Sequence, residues 1–112
     1  MGAYRVYILR CADGSYYTGS TSDLPLRVAQ HQAGSYAGYT ATRLPVTLVY
    51  SQEFSDPNEA VSAERRIKGW SRAKKEALIA GDWERLQRLS RGHGRDEQGA
   101  QTVMSLDRLG MT

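Results

Sequence analysis

Apolar and polar residues alternate in three segments of the chain that are rich in β-branched and aromatic types. Residues 3–11 and 15–21 have this pattern and are separated by a short segment containing Asp13 and Gly14. Such a break between two strand patterns is typical of a β-hairpin. Residues 46–54 repeat the strand chemistry. The pattern predicts a three-stranded antiparallel sheet, which needs helices to cover a face.

A first helix is predicted directly after the hairpin. It begins at Ser22 or Asp23, has Pro25 in its first turn and ends before Gly34, which are the residue types preferred at these positions. Its apolar residues are expected to face the core, and they are Leu24, Val28 and Ala29.

Three further helices are predicted after the third strand. Asp56 followed by Pro57 is the clearest helix start in the chain. Ser71 is expected to cap the next helix, and Gly81-Asp82 separates that helix from a short last one. The residues expected to face inward are Ala60, Ala63, Ile67, Trp83, Leu86 and Leu89. The sequence therefore predicts an α+β fold in which helices flank a three-stranded antiparallel sheet.

The length of 112 residues is enough for one domain with a modest core. We assign residues 1–90 to this domain and interpret 91–112, which are rich in glycine and weakly apolar, as a flexible C-terminal tail. No segment has the length and hydropathy of a membrane span or of a signal peptide, and Cys11 is the only cysteine. A cytoplasmic monomer without an internal disulfide or a small-molecule cofactor is expected.

Positive charge is concentrated between residues 65 and 75, although the net charge of the chain is only +3. This stretch contains no acidic residue. Such a stretch suits phosphate contacts, and the alternative is a solvated helix face. The segment 34–45 is predicted to be irregular and carries aromatic residues with a cation, which suit base stacking or phosphate contact. The residues expected to contact nucleic acid are Tyr39, Arg43, Arg65, Lys68, Arg72, Lys74 and Lys75.

Four short motifs occur in order between residues 4 and 80. They are Arg5-Val6-Tyr7, Tyr17-Thr18-Gly19, Arg27 within LPLRVAQH, and Glu64 within SAERRIK. In this order and spacing the chain resembles the GIY-YIG nucleases, and in particular their small bacterial-type members. Two positions depart from the pattern. Arg5 replaces the glycine of the first motif, and Ser20 stands where some relatives have a lysine.

The resemblance implies roles for these residues in phosphodiester hydrolysis. Tyr7 would act as the general base or orient the attacking water, although its usual pKa near 10 would need about 4 kcal/mol of phenolate stabilisation at pH 7. Tyr17 would hydrogen-bond the phosphate or the water. Gly19 would let the nucleic-acid substrate come close to the protein backbone. Arg27 would clamp the phosphate. His31, one turn after Arg27, would assist proton transfer or contact phosphate, and the alternative is a surface histidine.

Glu64 would be the ligand of one divalent metal ion, Mg²⁺ or Mn²⁺, because Mg²⁺ needs only one or two protein carboxylates. The alternative is an ion pair with Arg65 or Lys68. The function expected from the resemblance is a metal-dependent endonuclease that cuts DNA at branched or damaged structures. Two alternatives stay open, a non-catalytic nucleic-acid-binding module on the same fold and an interaction domain that binds an acidic protein.

The hairpin register tests the catalytic expectation. A two-residue loop would place Tyr7 and Tyr17 on opposite faces of the sheet. A three-residue loop with Gly14 in the left-handed region would pair Tyr7 with Gly19 and Tyr17 with Leu9, and both tyrosines would share a face. We predict the three-residue loop, with Arg27 and Glu64 approaching that same face.

Overall fold

A computed structural model describes residues 3–92, which form three strands and five helices. In chain order these are β1 (Tyr4–Arg10), β2 (Tyr16–Thr21), α1 (Leu24–Gln32), α2 (Gly38–Ala41), β3 (Thr47–Phe54), α3 (Pro57–Lys68), α4 (Arg72–Ala80) and α5 (Trp83–Gly92). The chain divides into two compact units, the first ending at Lys68 and the second beginning at Gly69. The sheet and the candidate active site belong to the first unit.

The hairpin between β1 and β2 has the predicted three-residue loop. Gly14 adopts a φ of 87°, and the amide of Cys11 donates to the carbonyl of Ser15 across the turn. Tyr7 consequently pairs with Gly19, and Tyr17 pairs with Leu9. Because side chains alternate along a strand, Tyr7 and Tyr17 lie on one face, as predicted.

The three strands form an antiparallel sheet in the order β2-β1-β3, so β2 is an edge strand. One face carries a buried cluster of Tyr7, Leu9, Cys11 and Val46. Leu24 and Val28 of α1 pack against this cluster. The α+β fold predicted from the sequence is confirmed.

The inward position predicted for Ala29 is wrong, because Ala29 is exposed. The inward stripe of α1 runs instead through Leu24, Val28 and the fully buried His31. These residues are spaced by four and three positions, which is one side of a helix. Ala29 follows Val28 directly and falls outside that stripe.

The helix starts predicted from sequence are confirmed. The Asp23 side chain accepts a hydrogen bond from the amide of Leu26 at the start of α1. Asp56 accepts in the same way from Asn58 before α3. Ser71 accepts from Lys74 before α4, and Gly81 ends that helix in the left-handed region.

The segment between α1 and β3 is more ordered than predicted, because it contains the single helical turn α2. The Thr40 hydroxyl lies 3.1 Å from the carbonyl oxygen of Tyr36 and 3.2 Å from that of Ala37, both at the start of the turn. The side-chain amide of Gln32 pairs with the backbone of Val46, donating to its carbonyl and accepting from its amide. The hydrogen bonds of Thr40 and Gln32 thus order a segment whose glycine content predicted irregular structure.

The second unit consists, within the described residues, of α4 and α5, which pack against each other. Leu78 and Leu86 are buried in it, and both helices were predicted. Residues 93–112 of the predicted tail lie outside the described part of the chain. The assignment of residues 1–90 to one domain stays a prediction. None of the helices in residues 3–92 is long and apolar enough to cross a membrane.

Candidate active site

Tyr7 and His31 form a buried hydrogen-bonded pair above the sheet. The Tyr7 hydroxyl oxygen lies 2.9 Å from Nε2 of His31, and both side chains are fully buried. Nδ1 of His31 lies 2.8 Å from the Thr40 hydroxyl oxygen. The surface position weighed for His31 is therefore wrong. The histidine is a direct partner of the tyrosine to which the resemblance gives the central role.

Gly19 creates the space that the Tyr7 hydroxyl occupies. A Cβ atom on residue 19 would lie 2.5 Å from the hydroxyl oxygen of Tyr7 and 2.7 Å from its Cζ atom. Both distances are far below van der Waals contact. The glycine of the second motif is thus needed for the first-motif tyrosine to lie flat across β2.

Aromatic rings surround the Tyr7–His31 pair. The Tyr17 ring centroid lies 6.4 Å from that of Tyr7 and 5.0 Å from that of His31. The Tyr36 ring meets His31 edge to face at 5.0 Å. The guanidinium of Arg27 lies 4.0 Å from the centroid of the Tyr36 ring, which restricts the orientation of its planar fork.

Ser20, on the edge strand β2, lies between Arg27 and Glu64. A terminal nitrogen of Arg27 donates to the Ser20 carbonyl at 3.3 Å, and the Ser20 hydroxyl donates to Oε1 of Glu64 at 2.6 Å. Since side chains alternate along β2, the Ser20 side chain points away from the face of the tyrosines. The Glu64 carboxylate of α3 thus meets the sheet at its β2 edge, and its charge acts on Tyr17. The shared approach predicted for Arg27 and Glu64 stays a prediction.

Glu64 also forms the ion pair weighed as an alternative to metal binding. Its Oε2 lies 3.0 Å from Nζ of Lys68, one turn later on α3, and the Glu64 side chain is only 18% exposed. Lys68 Nζ lies 5.9 Å from the centroid of the Tyr17 ring, so Lys68 brings a cation to the site although Ser20 replaces the lysine of some relatives.

The donor set at Glu64 fits one divalent ion that keeps most of its ligands from water and substrate. Among residues 3–92, no group of three or more His, Cys, Asp and Glu side chains lies together. A single carboxylate beside a hydroxyl is a sufficient protein contribution for Mg²⁺. Lys68 is half-exposed, so its ammonium can leave the carboxylate without unpacking the core. The ion pair with Lys68 therefore does not exclude a metal ion at Glu64.

Burial raises the pKa of Tyr7 to about 12, and the neighbouring Arg27 guanidinium only partly opposes this shift. The phenolate is thus disfavoured, contrary to the stabilisation that a simple general base would need. Burial also lowers the pKa of His31, with the Arg27 charge acting in the same direction. The pair is neutral at pH 7, with a protonated tyrosine beside an unprotonated imidazole. Burial likewise raises the pKa of Tyr17.

The residues predicted to contact nucleic acid are divided between the two units. In the first unit, the Arg43 guanidinium lies 3.8 Å from the centroid of the partly exposed Tyr39 ring. It also pairs with Asp13 in the hairpin loop at 3.2 Å. Arg65 is exposed on α3. The remaining three, Arg72, Lys74 and Lys75, lie on α4 in the second unit.

Two of the α4 cations have described partners. Arg72 pairs with Glu76 at 2.9 Å, and Lys74 Nζ lies 5.6 Å from the centroid of the Trp70 ring. Burial lowers the pKa of Lys74. The cationic stretch is thus distributed over two helices, and its role in binding nucleic acid stays a prediction.

Sequence reasoning missed three side chains of this site. Thr40 contacts His31, Tyr36 holds Arg27, and Ser20 joins Arg27 to Glu64. Ser20 was considered only as a lost cation. No spacing rule in the sequence connects Thr40 to a histidine on another helix.

The fold is that of a GIY-YIG catalytic domain, and residues 3–77 match that family. The chain therefore belongs to this nuclease family. It is 52% identical over 76 residues to a UPF0213 protein of Halobacterium salinarum, covering 68% of this chain and 99% of the relative. It is 51% identical over 76 residues to a UPF0213 protein of Lacticaseibacillus paracasei, covering 68% and 85% respectively.

A solved structure shows the same fold. The solution structure of the protein EF2693 from E. faecalis is 33% identical, with a TM-score of 0.52, and the match covers 72% of this chain and 86% of that one. GIY-YIG nucleases act on nucleic acids and generally use a divalent metal ion. The family resemblance drawn from the four motifs is thereby confirmed.

Proposed function

We propose that this protein is an endonuclease that hydrolyses phosphodiester bonds in DNA with the help of one Mg²⁺ or Mn²⁺ ion. The observation that carries the proposal is the hydrogen bond of 2.9 Å between Tyr7 and His31 next to the Arg27 guanidinium. A neutral acid–base pair beside a fixed cation suits the attack of water on a phosphate. A protein that only binds nucleic acid has no need of this buried pair.

The proton of the attacking water passes to His31 through Tyr7. As the water oxygen forms its bond to phosphorus, the water gives a proton to the Tyr7 oxygen and the Tyr7 proton moves to Nε2 of His31. The bond from phosphorus to the leaving oxygen breaks, and that oxygen takes a proton from solvent water. No free phenolate forms, so the raised pKa of Tyr7 does not obstruct the step. The lowered pKa of His31 keeps the imidazole able to accept a proton at pH 7. Tyr17 contacts the phosphate or the water.

Arg27 and Glu64 provide the charges. The Arg27 guanidinium stays protonated and offers two parallel donors to phosphoryl oxygens. Glu64 would hold the metal ion, which when bound neutralises charge on the phosphoryl group and stabilises the leaving oxygen. Lys68 would then be free to contact the substrate backbone.

The proposal that the substrate is DNA rests on basic residues in both units. Arg43, Arg65 and Lys68 of the first unit and the three basic residues of α4 would contact the phosphate backbone, and Tyr39 with Arg43 would contact bases near the cut. A branched or damaged structure would expose such bases. The alternative function is a nucleic-acid-binding module on the same fold.

The test is Glu64→Gln, with Glu59→Gln as a matched control. Glu59 is an exposed residue in the first turn of the same helix. Cleavage of branched, nicked and single-stranded DNA is measured with Mg²⁺ or Mn²⁺, together with DNA affinity and melting temperature. We expect Glu64→Gln to cleave about 100-fold more slowly, with unchanged or tighter binding because a negative charge has been removed. Glu59→Gln should match the parent.

Two results would contradict this proposal. Equal cleavage by Glu64→Gln and the parent would remove Glu64 from the reaction. Metal-independent binding without cleavage of any substrate by the parent protein would favour the binding module.

A further inference from the structure

Thr40 ends a buried chain of hydrogen-bonding groups that begins at Tyr7. The Tyr7 hydroxyl, the His31 ring and the Thr40 hydroxyl follow one another at 2.9 and 2.8 Å. All three residues are fully buried. These groups are shielded from bulk water. The protein groups at the Thr40 end therefore determine which atom carries each proton.

The protons of this series of hydrogen-bonded groups can be assigned from its Thr40 end. The Thr40 hydroxyl lies 3.1 Å from the Tyr36 carbonyl and 3.2 Å from the Ala37 carbonyl, and both are acceptors only. A hydroxyl has one hydrogen, and here a carbonyl takes it. The Thr40 oxygen is then an acceptor towards His31, so the hydrogen of the neutral imidazole lies on Nδ1.

The near end of the chain gives the same assignment. With its hydrogen on Nδ1, the imidazole presents the Nε2 lone pair to Tyr7, and the Tyr7 hydroxyl donates to it. In the opposite tautomer Nε2 would itself donate to Tyr7, and the phenolic hydrogen would have no acceptor on His31. The raised pKa of Tyr7 and the lowered pKa of His31 agree with a neutral pair.

We propose that Thr40 is a positioning residue that holds His31 in the Nδ1–H tautomer, so that Nε2 can accept the proton of Tyr7. Thr40 does not contact the reacting atoms. It acts through the imidazole, as the group that orients a functional histidine does in other enzymes. The inference rests on the proposed function for its catalytic consequence, whereas the tautomer itself is a property of the free protein.

The local fold explains why the residue is a threonine on α2. Helical geometry places the carbonyls three and four residues earlier within reach of a threonine hydroxyl, and here these belong to Ala37 and Tyr36. The single turn of α2 thereby fixes the direction of the Thr40 hydrogen. A valine has the same shape but no oxygen, and a serine keeps the hydroxyl, so the pair Thr40→Val and Thr40→Ser separates the bond from the packing.

The first measurement is the tautomer of His31 by ¹⁵N NMR of the parent protein at neutral pH, which needs no variant and no substrate. His93 is the other histidine of the chain, and His93→Gln assigns the signals. We expect the Nδ1–H form in the parent and in Thr40→Ser, and a mixture or the Nε2–H form in Thr40→Val. An Nε2–H tautomer in the parent would overturn the proposal even if Thr40→Val did not fold.

The second measurement is cleavage kinetics. Thr40→Val should lower kcat by about 10- to 100-fold with little change in DNA affinity, and Thr40→Ser should restore most of the rate. A folded Thr40→Val with the parent tautomer and the parent rate would overturn the role of Thr40. Failure of the proposed function would look different. The tautomer would follow the Thr40 substitutions as expected while the parent protein cleaved nothing.

Discussion

The hydroxyl of Tyr7 lies above Gly19, 2.5 Å from where a Cβ atom on that residue would stand. The two residues are direct partners across β1 and β2. Any side chain at position 19 must therefore displace the tyrosine that bonds to His31.

Gly19→Ala should lose cleavage by 10-fold or more, in line with the cost of misplacing a reacting group by about 1 Å. Overpacking in a buried site should also lower the free energy of unfolding by roughly 1–3 kcal/mol. Gly38→Ala is the control, because a Cβ there meets no atom within 4 Å. Urea unfolding and cleavage assays measure both effects. A fully active Gly19→Ala would refute the close packing of Tyr7 against β2.

The titration of His31 should have its midpoint below 6.5, because burial and the Arg27 charge disfavour the imidazolium. Cleavage should decline along the same curve, since a protonated His31 cannot accept a proton. The unfolded chain takes up this proton first as the pH falls. His31 therefore contributes fully to stability above pH 6.5. This contribution is lost as the pH falls towards the midpoint of the His31 titration in the folded protein. NMR titration of His93→Gln and a pH–rate profile test this, and a midpoint above 6.5 would contradict it.

Tyr7 should make folding sensitive to alkaline pH. Its pKa rises from about 10 to about 12 on folding, so the unfolded chain loses this proton first. The contribution is present below pH 10 and is lost between 10 and 12, at about 1.4 kcal/mol per pH unit. In Tyr7→Phe this part of the loss should be absent, and in the partly exposed control Tyr39→Phe it should remain. Urea unfolding at pH 9 and 11 measures the difference.

Lys68→Gln should bind Mn²⁺ more tightly than the parent protein does, because Lys68 occupies the Glu64 carboxylate at 3.0 Å. The gain should be up to about fivefold, which corresponds to the roughly 1 kcal/mol of an exposed ion pair. Arg65→Gln removes a charge from an exposed position on the same helix and serves as the control. Isothermal titration calorimetry measures both, and weaker Mn²⁺ binding by Lys68→Gln would exclude competition at Glu64.

Gln32→Ala should destabilise the protein by about 1–3 kcal/mol, because it removes two hydrogen bonds to the backbone of Val46. Val46 belongs to the same buried cluster as Tyr7. Gln30→Ala, on the same helix, should change stability by less than 1 kcal/mol. The free energy of unfolding in urea decides between them, and equal values for the two variants would show that the Gln32 bonds contribute nothing.

Local rules predicted the features that depend on neighbouring residues. The turn at Gly14 determined the register that unites Tyr7 and Tyr17, and short polar side chains marked the helix starts. These signals act over a few residues, so the sequence displays them directly.

The features that sequence reasoning missed depend on contacts between distant segments. Ala29 was placed inward on apolar character alone, whereas the packing of α1 selects His31. The bond from Thr40 to His31 joins two helices, and the bond from Ser20 to Glu64 depends on where α3 packs. Hydrophobic pattern and propensity contain no information on such pairs.

In the three-residue turn at Ala12–Gly14, the number of residues determines which face of the sheet the β2 side chains occupy. An odd change in that number reverses the faces, and an even change keeps them. Surface turns ordinarily tolerate inserted or deleted residues, and this one should tolerate a change of two. Loss of a single codon would leave a foldable hairpin but rotate Tyr17 to the far side of the sheet from Tyr7. Inherited insertions and deletions at this turn are therefore expected to change its length by an even number of residues. The 34–45 segment is constrained instead by the hydrogen bonds of Thr40 and by those that Gln32 makes to Val46.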